Sequence, residues 1–285
     1  MKALIIGANG QLGRGLAAAV PEGAEAVAPP EAECNLTDPD QVQGWLDRVR
    51  PDVVFNAAAY TAVDAAEQDE AAAERVNAAA VGALAEAAVR VGACLVHVST
   101  DFVFDGVLGR PYAPDDAPNP LSVYGRTKLA GERLALTHPR NLVVRTAWVY
   151  DETGRNFVRT MLRLMAERDR LAVVADQIGT PTYARDLAAA LWALAGQGAS
   201  GVFHFTNEGV ASWYDFAVAI REEGLAAGAL KKAAMVVPIG TKDYPTPARR
   251  PAFSVLDKSK SHAAIGVGRH WREALREMMG RLPHA

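Results

Sequence analysis

Hydrophobic residues fall into two alternating textures along the first half of the chain. Short, largely apolar runs occupy Ala3 to Ile6, Ala24 to Ala28, Asp52 to Ala59, Ala93 to Ser99 and Asn141 to Tyr150. They are continuous in hydrophobicity, where a half-solvated strand would alternate, so they read as parallel strands buried on both faces. Between them lie amphipathic stretches at helical spacing: Leu12 to Val20, Asp40 to Val49, Glu67 to Val91 and Ser122 to Thr137. Thr37-Asp38-Pro39 supplies a helix entry, with the proline near the first helical position. The repeated strand–helix order predicts an α/β fold, a doubly wound parallel sheet of Rossmann type with right-handed crossovers.

Beyond about Tyr150 the rhythm changes. Polar, proline-rich loops appear, as at Thr180-Pro181-Thr182 and from Tyr244 to Pro251, and the elements shorten, as at Val202 to Phe205 and the helix Trp213 to Glu223. This predicts a dinucleotide-binding domain over 1–150 and a smaller α+β substrate lobe over 151–285, some of whose segments could return to the first domain. The lobe should close over the carboxyl edge of the sheet, where open α/β sheets bind ligands.

Composition narrows the class of partner. Of 285 residues 50% are hydrophobic, enough for a sizeable core, and the formal net charge is -3. No basic excess is present to recruit nucleic acid or an anionic membrane, and charged residues are mixed along the chain. No stretch reaches the roughly 18 to 20 apolar residues of a membrane span. The chain opens directly on a strand pattern, without the apolar region of a secretory signal. The two cysteines make no disulfide framework; Cys94 reads as a buried thiol in an apolar run, and Cys34 as a free thiol in a polar connection. A cytoplasmic location is expected, as is a monomer or weak homodimer.

Candidate chemistry begins at Gly7-Ala8-Asn9-Gly10-Gln11-Leu12-Gly13, between the first strand and the first helix. Glycines permit a tight turn and let a pyrophosphate approach the free N–H groups of a helix amino terminus. The spacing is G-x-x-G-x-x-G, and its placement points to a dinucleotide. The second strand ends Ala28-Pro29-Pro30 with no acidic residue to read a ribose 2′-hydroxyl. Glu31 and Glu33 follow it, and Arg14 is the nearest cation for a 2′-phosphate, so NADH and NADPH both remain open.

Tyr124 and Lys128 stand four residues apart on one predicted helix face. A free phenol, with a pKa of about 10, exchanges protons poorly near neutrality, and a nearby ammonium would lower it. Val98-Ser99-Thr100-Asp101 ends a strand with hydroxyls that could bond a substrate carbonyl as charge develops on it. Asn56-Ala57-Ala58-Ala59 ends another, with side chains small enough for a cofactor to lie against the backbone.

These stretches, with Arg50 to Val54, Thr61 to Asp64, Arg145 to Tyr150, Asp176 to Thr182, Trp213 to Asp215 and Tyr244 to Pro251, resemble the extended short-chain dehydrogenase/reductases and, within them, the dTDP-4-dehydrorhamnose reductases. The resemblance implies reduction of the 4-keto group of a nucleotide-diphosphate sugar by NADPH or NADH. It implies Thr100 as the group that polarises the keto oxygen, Tyr124 as proton donor and Lys128 as the residue that orients the ribose. Gly10, Gln11 and Leu12 would meet the pyrophosphate, with Gly7 and Gly13 of the same turn also at the cofactor; Ala57, Ala58 and Ala59 would line the cofactor, and Asn35 and Leu36 would border the adenine. Asp101 and Trp148 would touch the sugar, and Arg249 or Arg250 would hold the diphosphate.

The chain departs from the family in places. Asn35 stands where an acidic residue is frequent, and Phe102 where a tyrosine is. Gly15 and Arg185 occupy positions where some members carry ligands for an intersubunit magnesium ion, so no metal is expected. Two alternatives stay open: a reductase of another nucleotide-linked 4-keto sugar, and a non-catalytic regulatory subunit, for which a Thr/Tyr/Lys set would have no chemical use.

Overall fold

In the computed structural model, which describes residues 1–282, the apolar runs of the first half become strands of one parallel sheet, except that the run Asn141 to Tyr150 splits and its end, Val149–Tyr150, pairs separately with Thr182–Tyr183. The chain opens with β1 (Lys2–Ile6), α1 (Gln11–Ala18), β2 (Glu25–Val27), α2 (Pro39–Val49) and β3 (Val53–Asn56). It continues with α3 (Val63–Ala66), α4 (Glu70–Glu74), a π-turn at Arg75–Ala79, α5 (Ala80–Arg90), β4 (Cys94–Thr100), α6 (Val123–Ala135) and β5 (Leu142–Thr146). The second half holds β6 (Val149–Tyr150), α7 (Phe157–Glu167), β7 (Arg170–Val174), β8 (Ile178–Gly179), β9 (Thr182–Tyr183) and α8 (Ala184–Gly196). β10 (Gly201–His204), β11 (Ala211–Ser212), α9 (Trp213–Ala226), β12 (Met235–Ile239), α10 (Ser259–Ile265) and α11 (Trp271–Gly280) complete it.

The main sheet has the order β10-β5-β4-β3-β1-β2, every neighbouring pair parallel. The chain winds outward from β1 to β2, then returns to β3 on the other side. That reversal opens a crevice at the carboxyl ends of β1 and β3, where the glycine turn sits. Alternate residues feed two cores. Leu4, Ile6, Val54 and Leu95 pack with α2 and α5; Ala3, Ile5, Phe55 and Val96 pack with α1 and α8. Asp38 caps α2, accepting from the amides of Asp40 and Gln41, and Pro39 occupies its first turn as expected.

Val202 to Phe205, in the second half of the chain, supplies β10, which pairs with β5 and extends the main sheet, so a later segment does return to the first domain. Three expectations need correction. Residues 24–28 are not buried on both faces: β2 is a short edge strand that begins exposed, because only β1 covers it. The stretch from Glu67 to Val91 is not one helix but α4, the π-turn and α5. The thiols exchange character: Cys34 is buried in the α2 face core, and Cys94, at the start of β4, is only half-buried.

A second core lies beyond the sheet, formed by α7, α9 and α11 around β7 and β12, with Tyr150, Met165, Phe216, Ile220, Leu275 and Met278 at its centre. Trp148 and Trp213 pack on the margin of that core. No helix among the described residues is long and apolar enough to cross a membrane.

Candidate active site

The glycine turn is built by close approach. Gly7 has φ of +83°, and a Cβ there would lie 2.6 Å from the Ala58 amide nitrogen. A Cβ on Gly13 would lie 2.1 Å from the Gly7 carbonyl oxygen. The turn can therefore pack against the end of β3 only with glycine at both positions. Gly10, at the N-cap of α1, has no side chain to satisfy the first amides of the helix, which leaves them for an anion. Leu12 is buried beneath the turn, and the Gln11 side chain reaches away, accepting from Asn156 at 2.8 Å. Ala57, Ala58 and Ala59 leave β3 half-buried beside it.

A cleft of about 450 Å³ flanks the turn, lined by Ala8, Asn9, Arg14, Ala17, Ala18, Ala28 and Pro30. Arg14 donates to the Asn9 carbonyl and to the Thr153 hydroxyl. Asn9 in turn accepts from the Glu31 amide at 3.0 Å, fastening the loop after β2. Glu31 and Glu33 are exposed. Asn35 and Leu36 do not line this cleft: Asn35 accepts from the amide and hydroxyl of Thr37, and Leu36 sits in the core under α2.

Thr100, Tyr124 and Lys128 meet at the carboxyl end of β4. The Thr100 hydroxyl donates to Asp101 Oδ1 at 3.1 Å and accepts from the Phe102 amide at 3.2 Å, capping the turn Asp101–Val103. Ser122 caps α6 by accepting from the Gly125 amide, and this fixes the first turn that carries Tyr124. Phe102 meets the Tyr124 ring edge-on, with centroids 5.6 Å apart. Asp101 is 2% exposed, and its Oδ2 has no protein partner. Burial pushes its pKa up to about 6, against the pull of the Ser254 and Thr100 hydroxyls.

One expectation about this trio fails. Lys128 was expected to lower the phenol's pKa, yet burial pushes Tyr124 up to about 12, with the Thr100 hydroxyl pulling down and the Asp101 charge adding to the rise. Lys128 is directed toward β4, where it donates to the Val98 carbonyl oxygen at 2.7 Å and meets His97 Nε2 at 3.3 Å. Burial lowers its own pKa to about 8, against the Glu132 charge.

The remaining candidates divide. Arg250 is engaged in a fork on Asp64, at 2.8 and 3.1 Å, whereas Arg249 is exposed. Trp148 adopts φ of +48° and stacks on Trp213 at 3.6 Å, over the space left by Gly179. Gly15 lets α1 settle on α8, since a Cβ would lie 3.1 Å from the Ala184 carbonyl oxygen; Arg185 pairs with Glu152 at 3.1 Å. Among the described residues, no group of three or more His, Cys, Asp or Glu side chains could hold a metal ion.

Sequence reasoning missed several residues that shape the site. His97 and Asn56 are buried polar groups on β4 and β3, paired in register, and Asn77 of the π-turn bonds Tyr60 and Thr127. A histidine inside an otherwise apolar strand was the available signal for His97.

The family model described as RmlD substrate binding domain matches residues 1–283. The chain is similar to the dTDP-4-dehydrorhamnose reductase of Aggregatibacter actinomycetemcomitans, at 46% identity covering 96% of this chain and 97% of the relative. A crystal structure of a dTDP-4-dehydrorhamnose reductase from Clostridium acetobutylicum superposes with a TM-score of 0.91 at 40% identity, covering 98% of each chain. Another from Bacillus anthracis, in complex with NADP, gives a TM-score of 0.92 at 35% identity, covering 97% of this chain and 98% of that one.

Proposed function

The chain belongs to the RmlD substrate binding domain family, and from that premise we propose that it reduces the 4-keto group of dTDP-4-dehydro-6-deoxy-L-mannose to give dTDP-L-rhamnose. The observation that carries the reading is the meeting of Thr100, Tyr124 and Lys128 at the end of β4, beside a glycine turn that tolerates no side chain. NADPH or NADH, when bound, supplies the hydride for the sugar's C4.

The chain's own groups do the rest. The uncapped amides of α1 take the pyrophosphate, and Ala57 to Ala59 leave room for the cofactor against the backbone. Arg14, in the cleft with Ala28 and Pro30, is the cation suited to a 2′-phosphate, which favours NADPH. The Thr100 hydroxyl bonds the keto oxygen as charge gathers there, and Tyr124 gives that oxygen its proton. The unpartnered Oδ2 of Asp101 is an acceptor free for a sugar hydroxyl. Trp148 and Trp213 offer an apolar wall on the lobe side, and Arg249 or Arg250 holds the diphosphate. We place the reaction in the cytoplasm, a reducing compartment that suits the two free thiols, and assign a monomer or weak homodimer.

The test is spectrophotometric. NADPH should be consumed on addition of dTDP-4-dehydro-6-deoxy-L-mannose, with dTDP-L-rhamnose as product. Consumption only with a different nucleotide-linked 4-keto sugar would move the substrate. No consumption with any of them would leave a non-catalytic protein of the same fold.

A further inference from the structure

The hydrogen bonds around Lys128 dictate its charge. The residue is 2% exposed, and His97 beside it is fully buried. His97 Nε2 lies 3.3 Å from Lys128 Nζ, and His97 Nδ1 lies 3.2 Å from Asn56 Nδ2. The Asn56 amide is not free to turn over, because its Oδ1 accepts from the Ala58 backbone N–H at 3.2 Å. Its Nδ2, a donor, must therefore face the ring. A neutral imidazole carries one hydrogen. Since Nδ1 accepts from Asn56, that hydrogen is on Nε2 and is aimed at Lys128. An ammonium has three donors and no lone pair, so it would oppose this N–H; a neutral amine can accept it. The ring cannot escape by becoming an imidazolium, because burial holds its pKa well below the usual value.

We propose that His97, fixed by Asn56, is a positioning residue that favours the neutral amine of Lys128 in the free protein, so that cofactor binding at alkaline pH draws a proton from solvent onto Lys128. The inference rests on the nicotinamide-dependent reading above. Ribose hydroxyls offer acceptors that favour the ammonium, and only a protonated Lys128 can lower the Tyr124 phenol. At alkaline pH the charge on Lys128 thus arrives with the cofactor.

The other groups around Lys128 do not force a charge on it. Tyr124 and Glu132 share its helix, Asp101 lies beyond β4, and Asn77, facing α6 from the π-turn, is neutral. Glu132 favours the ammonium, but both its oxygens are spent on Arg145 of β5, at 2.9 and 2.7 Å. Burial agrees in direction, lowering the lysine to about 8. The pKa rises on binding, so uptake occurs above the free value, and affinity should fall by up to about tenfold per pH unit there.

Calorimetry of NADPH binding in two buffers of different ionisation enthalpy measures the uptake. At about pH 9 it should approach one proton in the wild type, and at about pH 6.5 it should be near zero. His97→Gln offers an amide oxygen that accepts from an ammonium; uptake at the higher pH should fall by at least about half, and affinity should stay level to higher pH. Uptake unchanged in that variant would overturn the inference. Should the variant not fold, ¹⁵N NMR of the free wild-type protein decides it. A neutral His97 protonated on Nε2 supports the proposal, and the Nδ1–H tautomer or an imidazolium overturns it. Failure to bind NADPH or NADH at any pH would defeat the cofactor reading instead, while the NMR result would still judge His97.

Discussion

Asp101 carries an electrostatic cost that a purely structural residue would have no reason to bear. Its pKa rises from 3.8 to about 6 because its carboxylate is buried with one oxygen unpartnered. The folded protein then holds a proton that the unfolded chain gives up between about pH 4 and pH 6, so stability falls as pH rises through that window. Two pKa units correspond to roughly 3 kcal/mol. Asp101→Asn keeps an acceptor for Thr100 and removes the charge. Urea unfolding at neutral pH should show it up to about 3 kcal/mol more stable than wild type, with the gain fading as pH falls from about 6 to about 4. Its KM for the sugar nucleotide should rise at the same time. A loss of stability at neutral pH would mean that the carboxylate is satisfied and has no vacancy for a substrate hydroxyl. Tyr124→Phe tests a different role, since it keeps the ring against Phe102 and removes the proton source. Turnover should fall by about 10²–10⁴-fold with cofactor affinity nearly kept. Near-normal turnover would take the acid role away from Tyr124.

α6 brings the acid and the lysine to β4, and two glycines let it do so. A Cβ on Gly125 would lie 2.3 Å from the Phe102 carbonyl oxygen, and one on Gly131 would lie 2.0 Å from that of Asn77. Both obstacles are backbone, so they cannot swing aside. Gly131→Ala should lift the helix from the π-turn at a cost of about 1–3 kcal/mol or more. Turnover should fall with stability, because Tyr124 and Lys128 move with the helix; parallel urea and kinetic measurements would show whether the two losses travel together. The Tyr124 to Lys128 spacing was legible in the sequence because four residues on a helix share a face whatever lies nearby. The π-turn opposite was not. It inserts a residue into a helical register without disturbing composition, and Arg75-Val76-Asn77-Ala78-Ala79 reads as ordinary amphipathic helix. The direction of Lys128 was illegible for a related reason: its partners, His97 and Val98, lie on a strand 30 or more residues away. The left-handed backbone of Trp148 accompanies its stack on Trp213, a tertiary contact that local sequence does not announce.

Polar contacts join the two cores across the crevice. Gln11 meets Asn156, Arg14 meets Thr153, and Arg250 reaches back to Asp64 before α4. The parallel sheet was readable from continuous apolar runs, since burial on both faces leaves no alternation. Which later segment would return to that sheet was not readable, because a four-residue run is compatible with either core. This long-range stitching also separates the two neighbouring arginines. Arg250 is fixed by Asp64, whose pKa it lowers, and it holds the carboxyl-terminal loop against the first lobe. Arg249 is exposed beside it, free to meet an anion. Arg249→Ala should therefore leave the urea midpoint unchanged, raise KM for the sugar nucleotide by about 10–100-fold, and flatten the salt dependence of kcat/KM. Arg250→Ala should raise KM and lower stability together, because Asp64 loses its partner. Remote binding energy at the diphosphate orients the keto group beside Tyr124, so a free 4-keto hexose should be reduced far less efficiently than its dTDP conjugate. If the free sugar reacted as well as the conjugate and neither arginine variant changed KM, the nucleotide would have no part in recognition. The same Thr100, Tyr124 and Lys128 would then be serving an unconjugated carbonyl.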